Sequence, residues 1–274
     1  MRVVYGPEQL APAQGYSPSA AKPGPVVAAW RRIDATLELV PPRPVSIDEL
    51  ALAHARDYVE AVLDLRVPNG FGTIDAGVAR SLPYTSGAML TAARLALRDR
   101  RIVAAPVSGF HHAGWDHGGG FCTFNGLMVT ARVLLAERAV QRIGILDYDY
   151  HYGDGTNDIL RTLGGEGVVH YTAGAEYDHP AQAEEFLAAI ERHLELMASC
   201  ELVLYQAGAD PHVDDPLGGF LTTAQLALRD ERVFDGLRRR GIAVAWNLAG
   251  GYQSPLEKVI RIHENTYRAA CAPD

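Results

Sequence analysis

Within RIGILDYDYHYGDGT, residues 142–156, an apolar run ends in Asp147, Asp149 and His151, three side chains able to bind a metal ion. Side chains two apart in an extended chain share a face, so the alternation Asp-Tyr-Asp-Tyr-His aims two carboxylates and an imidazole at one spot. Carboxylates held close raise each other's pKa unless a cation or a donor compensates. A bound divalent metal therefore explains the cluster better than a solvated turn after a strand.

The elements around this stretch alternate. Apolar strands are expected at Arg2 to Tyr5, Ile102 to Val107, Ile143 to Tyr148, Val168 to Thr172, Leu202 to Ala207 and Ala243 to Leu248. Between them lie helical stretches at Ser86 to Arg98, Gly126 to Glu137, Ala181 to Ala198 and Thr223 to Arg239. A last helix is expected from Pro255 to Ala270, with Ser254 as its N-cap and Pro255 as its first residue. Ser46-Ile-Asp-Glu49 reads as a capping box opening a helix to about Leu65. The Pro-, Ala- and Gly-rich segment from Gly6 to Pro44 reads as irregular, apart from a short helix around Val26 to Leu37. Strands alternating with helices indicate an α/β fold, a parallel sheet flanked by helices. With no internal repeat or low-complexity linker, one domain over residues 1–274 is the expectation.

Ligands of open α/β sheets gather at the carboxyl ends of the strands, and the polar clusters of this chain fall there. His111-His112 follows one expected strand, Asp147, Asp149 and His151 end the next, Asp210 and His212 follow another, and Gly250-Gly251-Tyr252 follows the last. Four clusters from distant parts of the chain thus converge on one edge.

In order and spacing, GFHHAG, GGGFCTFNG, ILDYDYHYGDGT, GADPHVDDPLGG and AGGY resemble the zinc-dependent histone deacetylase superfamily, which includes bacterial histone deacetylase-like and acetylpolyamine amidohydrolases. The resemblance covers about residues 84–260 and implies the arginase-deacetylase fold, with a parallel sheet of about eight strands. It implies Asp149, His151 and Asp210 as zinc ligands, with ferrous iron as the alternative metal, and sets His212 and Asp214 aside. His112 would be the main general base and acid, oriented by Asp154, and His111 an electrostatic partner oriented by Asp147. Tyr252 would donate a hydrogen bond to the carbonyl oxygen as it becomes anionic. Gly120 and Phe121, within Gly119-Gly120-Phe121-Cys122, would line the acyl tunnel, with Tyr177 on the opposite wall. A structural potassium ion would sit on Asp147, Asp149, the His151 carbonyl and the Thr172 hydroxyl. Tyr152 departs from the family, which has a second histidine there, as does AGAEYDHP after Thr172. Asn69 and Asp75, in RVPNGFGTIDAG, are rim candidates for holding the substrate backbone.

With 274 residues, 48% hydrophobic and 21% charged, the chain has room for a substantial core. No apolar run approaches the roughly 18 residues of a membrane span, and the start lacks the order of a signal peptide, so a cytoplasmic protein is expected. Cys122, Cys200 and Cys271 are too scattered for a disulfide framework or a zinc knuckle. A net charge of -8 argues against nucleic acid as a partner and suits neutral or cationic substrates. The expected partner is an acylated amine, acyl-lysine or acylpolyamine, with no membrane; a homo-oligomer stays open. Two other readings are a binuclear manganese ureohydrolase like arginase and a non-catalytic acyl-lysine binder. The first would want further aspartates where this chain has His111, His112 and Tyr252. The second would be expected to have lost ligands or the tyrosine, and none is missing.

Overall fold

A computed structural model describes residues 1–11 and 17–273. Seven strands form one parallel sheet: β1 (Arg2–Val4), β2 (Glu38–Val40), β3 (Ile102–Ala104), β4 (Ile143–Asp147), β5 (Val168–Thr172), β6 (Leu202–Gln206) and β7 (Ala243–Asn247). Their order across the sheet is β2-β1-β3-β7-β6-β4-β5. The described residues thus hold seven strands against the eight or so implied by the resemblance. β2 lies in the segment read as irregular. At three residues flanked by Pro41 and Pro42 it is too short to show alternation, yet it pairs with β1 in register. β3 stops at Ala104, short of the expected Val107, because Pro106 has no N–H to give a ladder.

Nine α-helices lie among the described residues: α1 (Pro23–Ile33), α2 (Ile47–Leu50), α3 (Arg56–Leu63), α4 (Ala76–Asp99), α5 (Gly126–Ala136), α6 (Asp154–Leu163), α7 (Ala183–Leu196), α8 (Thr223–Arg239) and α9 (Glu257–Cys271). The Ser46–Glu49 capping box is present, but the helix it opens is one turn. His54 then leaves the helical path, its Nδ1 2.8 Å from the Gly114 carbonyl and its Nε2 accepting the Asn125 N–H at 2.8 Å. Tertiary bonds thus divide what local pattern reads as one helix.

α4 begins at Ala76, well before the expected Ser86, and runs through Pro83. Asp75 caps it by accepting the Val78 N–H at 2.9 Å, and the Pro83 carbonyl accepts the Val45 N–H at 3.0 Å. α9 starts later than expected, with Leu256 and not Ser254 at its N-cap. The preceding chain is held to the 210–215 loop, where Asp215 Oδ2 takes the Tyr252 N–H and Gln253 meets His212.

Each face of the sheet has its own core. Val203 and Tyr205 of β6 turn toward the layer containing Trp30, Phe186, Phe234 and Ile262, while Leu202 and Leu204 turn toward Val59, Met89, Leu127 and Leu134. The central strands β4, β6 and β7 are buried on both faces, as a helix-covered parallel sheet requires. At the carboxyl edge, Thr172, Asp147, Gln206 and Asn247 stand in register across β5, β4, β6 and β7. This row is the floor on which the polar loops assemble.

Candidate active site

Beyond Asp147 the chain leaves β4, and Asp149 and His151 turn toward Asp210, which follows β6. Ligand atoms of these three residues lie within 4.8 Å of one another. His151 Nδ1 is 3.2 Å from Asp149 Oδ1 and 3.1 Å from Asp210 Oδ2. Both carboxylates are almost completely buried. Asp149 is held well below the ordinary carboxylate range: burial opposes its charge, but His111, His151 and the bond shared with Asp210 outweigh it. Burial and the neighbouring Asp149 push Asp210 up to about 7. Burial lowers His151, yet bonds to the two aspartates carry it up to about 10. Two buried carboxylates and an imidazole converging on one point form a donor set suited to a divalent cation.

Their supports explain the convergence. Gly250 N–H donates to Asp149 Oδ2 at 2.8 Å, and Tyr150 N–H to Asp210 Oδ1 at 3.3 Å. A Cβ on Gly250 would fall 2.1 Å from Asp210 Oδ2, so only glycine fits. From behind, the buried Arg229 guanidinium of α8 bonds the Tyr148 carbonyl at 3.2 Å and the Gly208 carbonyl at 2.8 Å, tying the two ligand-bearing segments together. Its charge is balanced by Asp230, 2.8 Å from Nε.

His111 and His112 stand over this cluster with ring centroids 4.2 Å apart. His111 Nδ1 lies 2.7 Å from Asp147 Oδ2 and His112 Nδ1 2.6 Å from Asp154 Oδ1, at the start of α6. The two histidines differ electrically. Burial presses His111 down, but Asp147, Asp149 and Asp210 carry it up to about 9. His112 is lowered, first by burial and then by the charge of His111, with Asp154 opposing. One histidine thus tends to hold a proton and the other to be free to take one.

Asp147 Oδ1 accepts from Gln206 Nε2 at 2.9 Å and from the Asp149 N–H at 3.2 Å. Gln206 in turn accepts the Phe110 N–H at 3.2 Å, joining β6 to the histidine loop. Thr172, beside Asp147 across β4 and β5, accepts the Gly153 N–H at 3.1 Å.

Ser19, Gly120, Phe121 and Tyr252 close the pocket around the histidines and Asp149. Gly120 and Phe121 are both left-handed, with φ of 52° and 65°. For phenylalanine this is a strained backbone of the kind found at functional sites. The Phe121 ring lies 5.8 Å from both Tyr252 and Phe71. Burial, with Asp210 and Asp149 nearby, pushes the Tyr252 hydroxyl above its ordinary pKa, so it keeps its proton and can donate. Burial likewise raises the Cys122 thiol, which makes it a poor nucleophile despite lining the pocket.

One expectation is corrected. Tyr177 does not form the opposite wall. The short 3₁₀ turn Ala173–Ala175 carries it into a buried aromatic cluster, 5.2 Å from Phe186 and 6.1 Å from Phe220 by ring centroids. Asp75 caps α4 through Oδ1, and Asn69 bonds Phe71 and Thr73 inside its own loop. His212, which the resemblance already set aside as a ligand, bonds Thr223 at 2.9 Å and Gln253 at 2.7 Å.

Some contributors carry no mark in the sequence. Lys22 is completely buried, its Nζ 2.6 Å from the Ala249 carbonyl and 3.2 Å from that of Gly250. Burial lowers the amine to about 8 against the pull of Asp210, Asp149 and Asp215. Ser19 comes from the same segment. Gln206 does leave a trace, as a polar residue ending the apolar run LVLY.

Sheet, convergent carboxylates, paired histidines and tyrosine define the class of metal-dependent deacetylases. The chain belongs to the histone deacetylase family: the family model described as "Histone deacetylase domain" matches residues 23–169. It is 32% identical over 246 residues to an uncharacterized protein of Picosynechococcus, covering 81% of each chain. It is 26% identical to acetylpolyamine amidohydrolase 2 of Pseudomonas aeruginosa, across 67% of this chain and 62% of that one. Among solved structures, the HD domain of HDA15 superposes with a TM-score of 0.81 at 20% identity, over 100% of this chain and 91% of the other. The acetylpolyamine aminohydrolase of Burkholderia pseudomallei gives 0.79 at 16% identity, over 99% of both chains.

Proposed function

We propose that the protein hydrolyses the amide of an acylated primary amine, acyl-lysine or acylpolyamine, releasing the carboxylate and the free amine. The observation that carries this reading is the meeting of two differently tuned histidines, a protonated tyrosine and a three-ligand cluster in one pocket.

Asp149, His151 and Asp210 would hold the metal. Zinc, or ferrous iron in its place, supplies when bound a Lewis acid that polarises the amide carbonyl and acidifies water. His112 takes the proton of the attacking water at Nε2, because Asp154 occupies Nδ1. It then returns a proton to the leaving amine. His111, kept protonated by its aspartates, stabilises negative charge beside it. Tyr252 donates to the carbonyl oxygen as that oxygen gains charge. Gly120 and Phe121 flank the acyl-bearing stem. Asp147 and Thr172, in register at the floor, are candidate ligands for a potassium ion.

The test is deacylation of fluorogenic acetyl-lysine peptides and of acetylated polyamines by zinc-loaded wild type, Tyr252→Phe and His112→Ala. Both variants are expected to lose activity while retaining metal. Equal turnover by all three would refute the mechanism.

A further inference from the structure

Lys22 has no part in the mechanism above, yet it is completely buried. Its amine lies 2.6 Å from the Ala249 carbonyl and 3.2 Å from that of Gly250, and among the described residues no carboxylate is within ion-pair distance of it. A lysine buried without a paired charge is rare. The counter-charge stands on the other side of the same turn. Asp215, also buried, accepts the Tyr252 N–H through Oδ2 at 2.8 Å and the Leu217 N–H through Oδ1 at 3.1 Å. Ammonium and carboxylate thus hold one short segment, residues 249–252, the first by its oxygens and the second by a nitrogen. Burial works against both charges, and each opposes that effect for the other.

The segment needs holding. Ala249 is left-handed at φ 49°, a strained conformation for a residue with a side chain, and Gly251 has φ 139°. The turn is tightly enclosed as well: a Cβ on Gly251 would lie 2.9 Å from Ala209 Cβ and from Val259 Cγ1, and 3.7 Å from Lys22 Nζ. Between the two grips, the Gly250 N–H is taken by Asp149 Oδ2 at 2.8 Å.

We propose that Lys22 and Asp215 act together as positioning residues for Tyr252, gripping the 249–252 turn from its carbonyl side and its amide side so that the phenolic hydroxyl stands where the substrate carbonyl oxygen gains charge. The inference rests on the reading of Tyr252 as the donor to that oxygen. Such a donor works only within hydrogen-bond reach of the developing anion, and a misplacement of about 1 Å costs on the order of 100-fold in rate. One charge alone leaves the opposite side of the turn free to move, so losing either should cost nearly as much as losing both. The bond strengthens as charge develops, so its loss falls on kcat more than on KM.

The experiment compares the zinc-loaded wild type with Lys22→Met, Asp215→Asn and the two combined, and repeats all three substitutions on a Tyr252→Phe background. It is read in kcat and KM on an acetyl-lysine peptide and in the Kd of an alkyl hydroxamate, whose carbonyl oxygen would accept from the tyrosine hydroxyl. Each single variant is expected to lower kcat about 10- to 100-fold with KM within about twofold of wild type, and to weaken the hydroxamate. The combined variant loses no more than about threefold beyond the worse single one, the non-additivity of residues that act as a unit. On the Tyr252→Phe background none of the substitutions changes turnover or the hydroxamate Kd by more than about twofold. Lys22→Arg, which keeps a cation with donors, loses less than Lys22→Met. Asp215→Asn keeps the size of its side chain, so it decides the matter where Lys22→Met melts too early to assay. The hydroxamate arm does the same where Tyr252→Phe turns over too slowly to measure. Wild-type kcat in either single variant overturns the proposal, as do losses that multiply in the combined variant. Losses that persist undiminished on Tyr252→Phe overturn it too, since they would mark merely structural residues. If Tyr252→Phe itself equals wild type in turnover and binding, it is the reading of the tyrosine that fails.

Discussion

Gly120 and His112 are pressed together so closely that a Cβ on the glycine would lie 2.3 Å from His112 Cδ2. The glycine also holds φ at 52°, which a larger residue adopts only with strain. Gly120→Ala is therefore expected to push the imidazole off its line. A displacement of about 1 Å at a reacting group costs on the order of 100-fold in rate. Steady-state kinetics beside a melting curve will separate this from unfolding: kcat should fall far more than stability does.

Tyr252→Phe removes a hydroxyl and leaves the ring beside Phe121. The expected loss in kcat is about 100- to 1000-fold, the usual effect of deleting one donor to a developing oxyanion. Metal content, measured by elemental analysis, should stay at the wild-type level.

Asp154 raises the pKa of His112, against burial and the charge of His111, which lower it. Asp154→Asn removes that support, so the imidazole loses its proton at a lower pH. As the free base is the working form, the acid limb of the kcat/KM profile should move to lower pH. The rate on the plateau should fall about 10- to 100-fold, since the orientation of the ring is weakened too. An acid limb that moves upward would contradict the assignment.

Stripping the metal should affect stability as well as rate. Asp149 and Asp210 are buried together, and a cation held between them would compensate both. An ion present at 100 times its Kd stabilises the folded state by about 2.7 kcal/mol. Chelated protein is thus expected to melt earlier and to recover on adding zinc, whereas Asp210→Ala should show no such zinc-dependent shift.

Arg229→Met leaves Asp230 buried without its cation and frees the Tyr148 and Gly208 carbonyls. Breaking one side of a buried pair costs about 3–5 kcal/mol. A denaturant titration should show that loss, and weaker zinc binding should accompany it because both ligand-bearing segments lose their common tie.

The sequence displays most of this site because its chemistry is local. Asp147, Asp149 and His151 alternate along the end of a strand, and His111 and His112 are adjacent, so spacing alone brings them near one another. What it hides depends on tertiary contact. Tyr177 follows β5 as a wall residue would, but a single short turn sends its ring into the core. Lys22 and Ser19 lie in a segment with no periodicity, and only the fold shows that the amine reaches the carbonyls before Tyr252. β2 and the early start of α4 escape for related reasons: three residues are too few to alternate, and Pro83 makes a continuous helix look broken.

The order β3-β7-β6-β4 has a consequence for synthesis. When residue 172 has left the ribosome, the nascent chain owns two separate pieces of sheet, β2-β1-β3 and β4-β5, with nothing between them. His111 follows the first piece and Asp147 ends the second, so their hydrogen bond awaits β6 and β7, the last strands to emerge, filling the gap. The hydrolytic centre is thus closed by the final strands made, and a nascent chain halted before them carries its histidines and its aspartates on unjoined fragments.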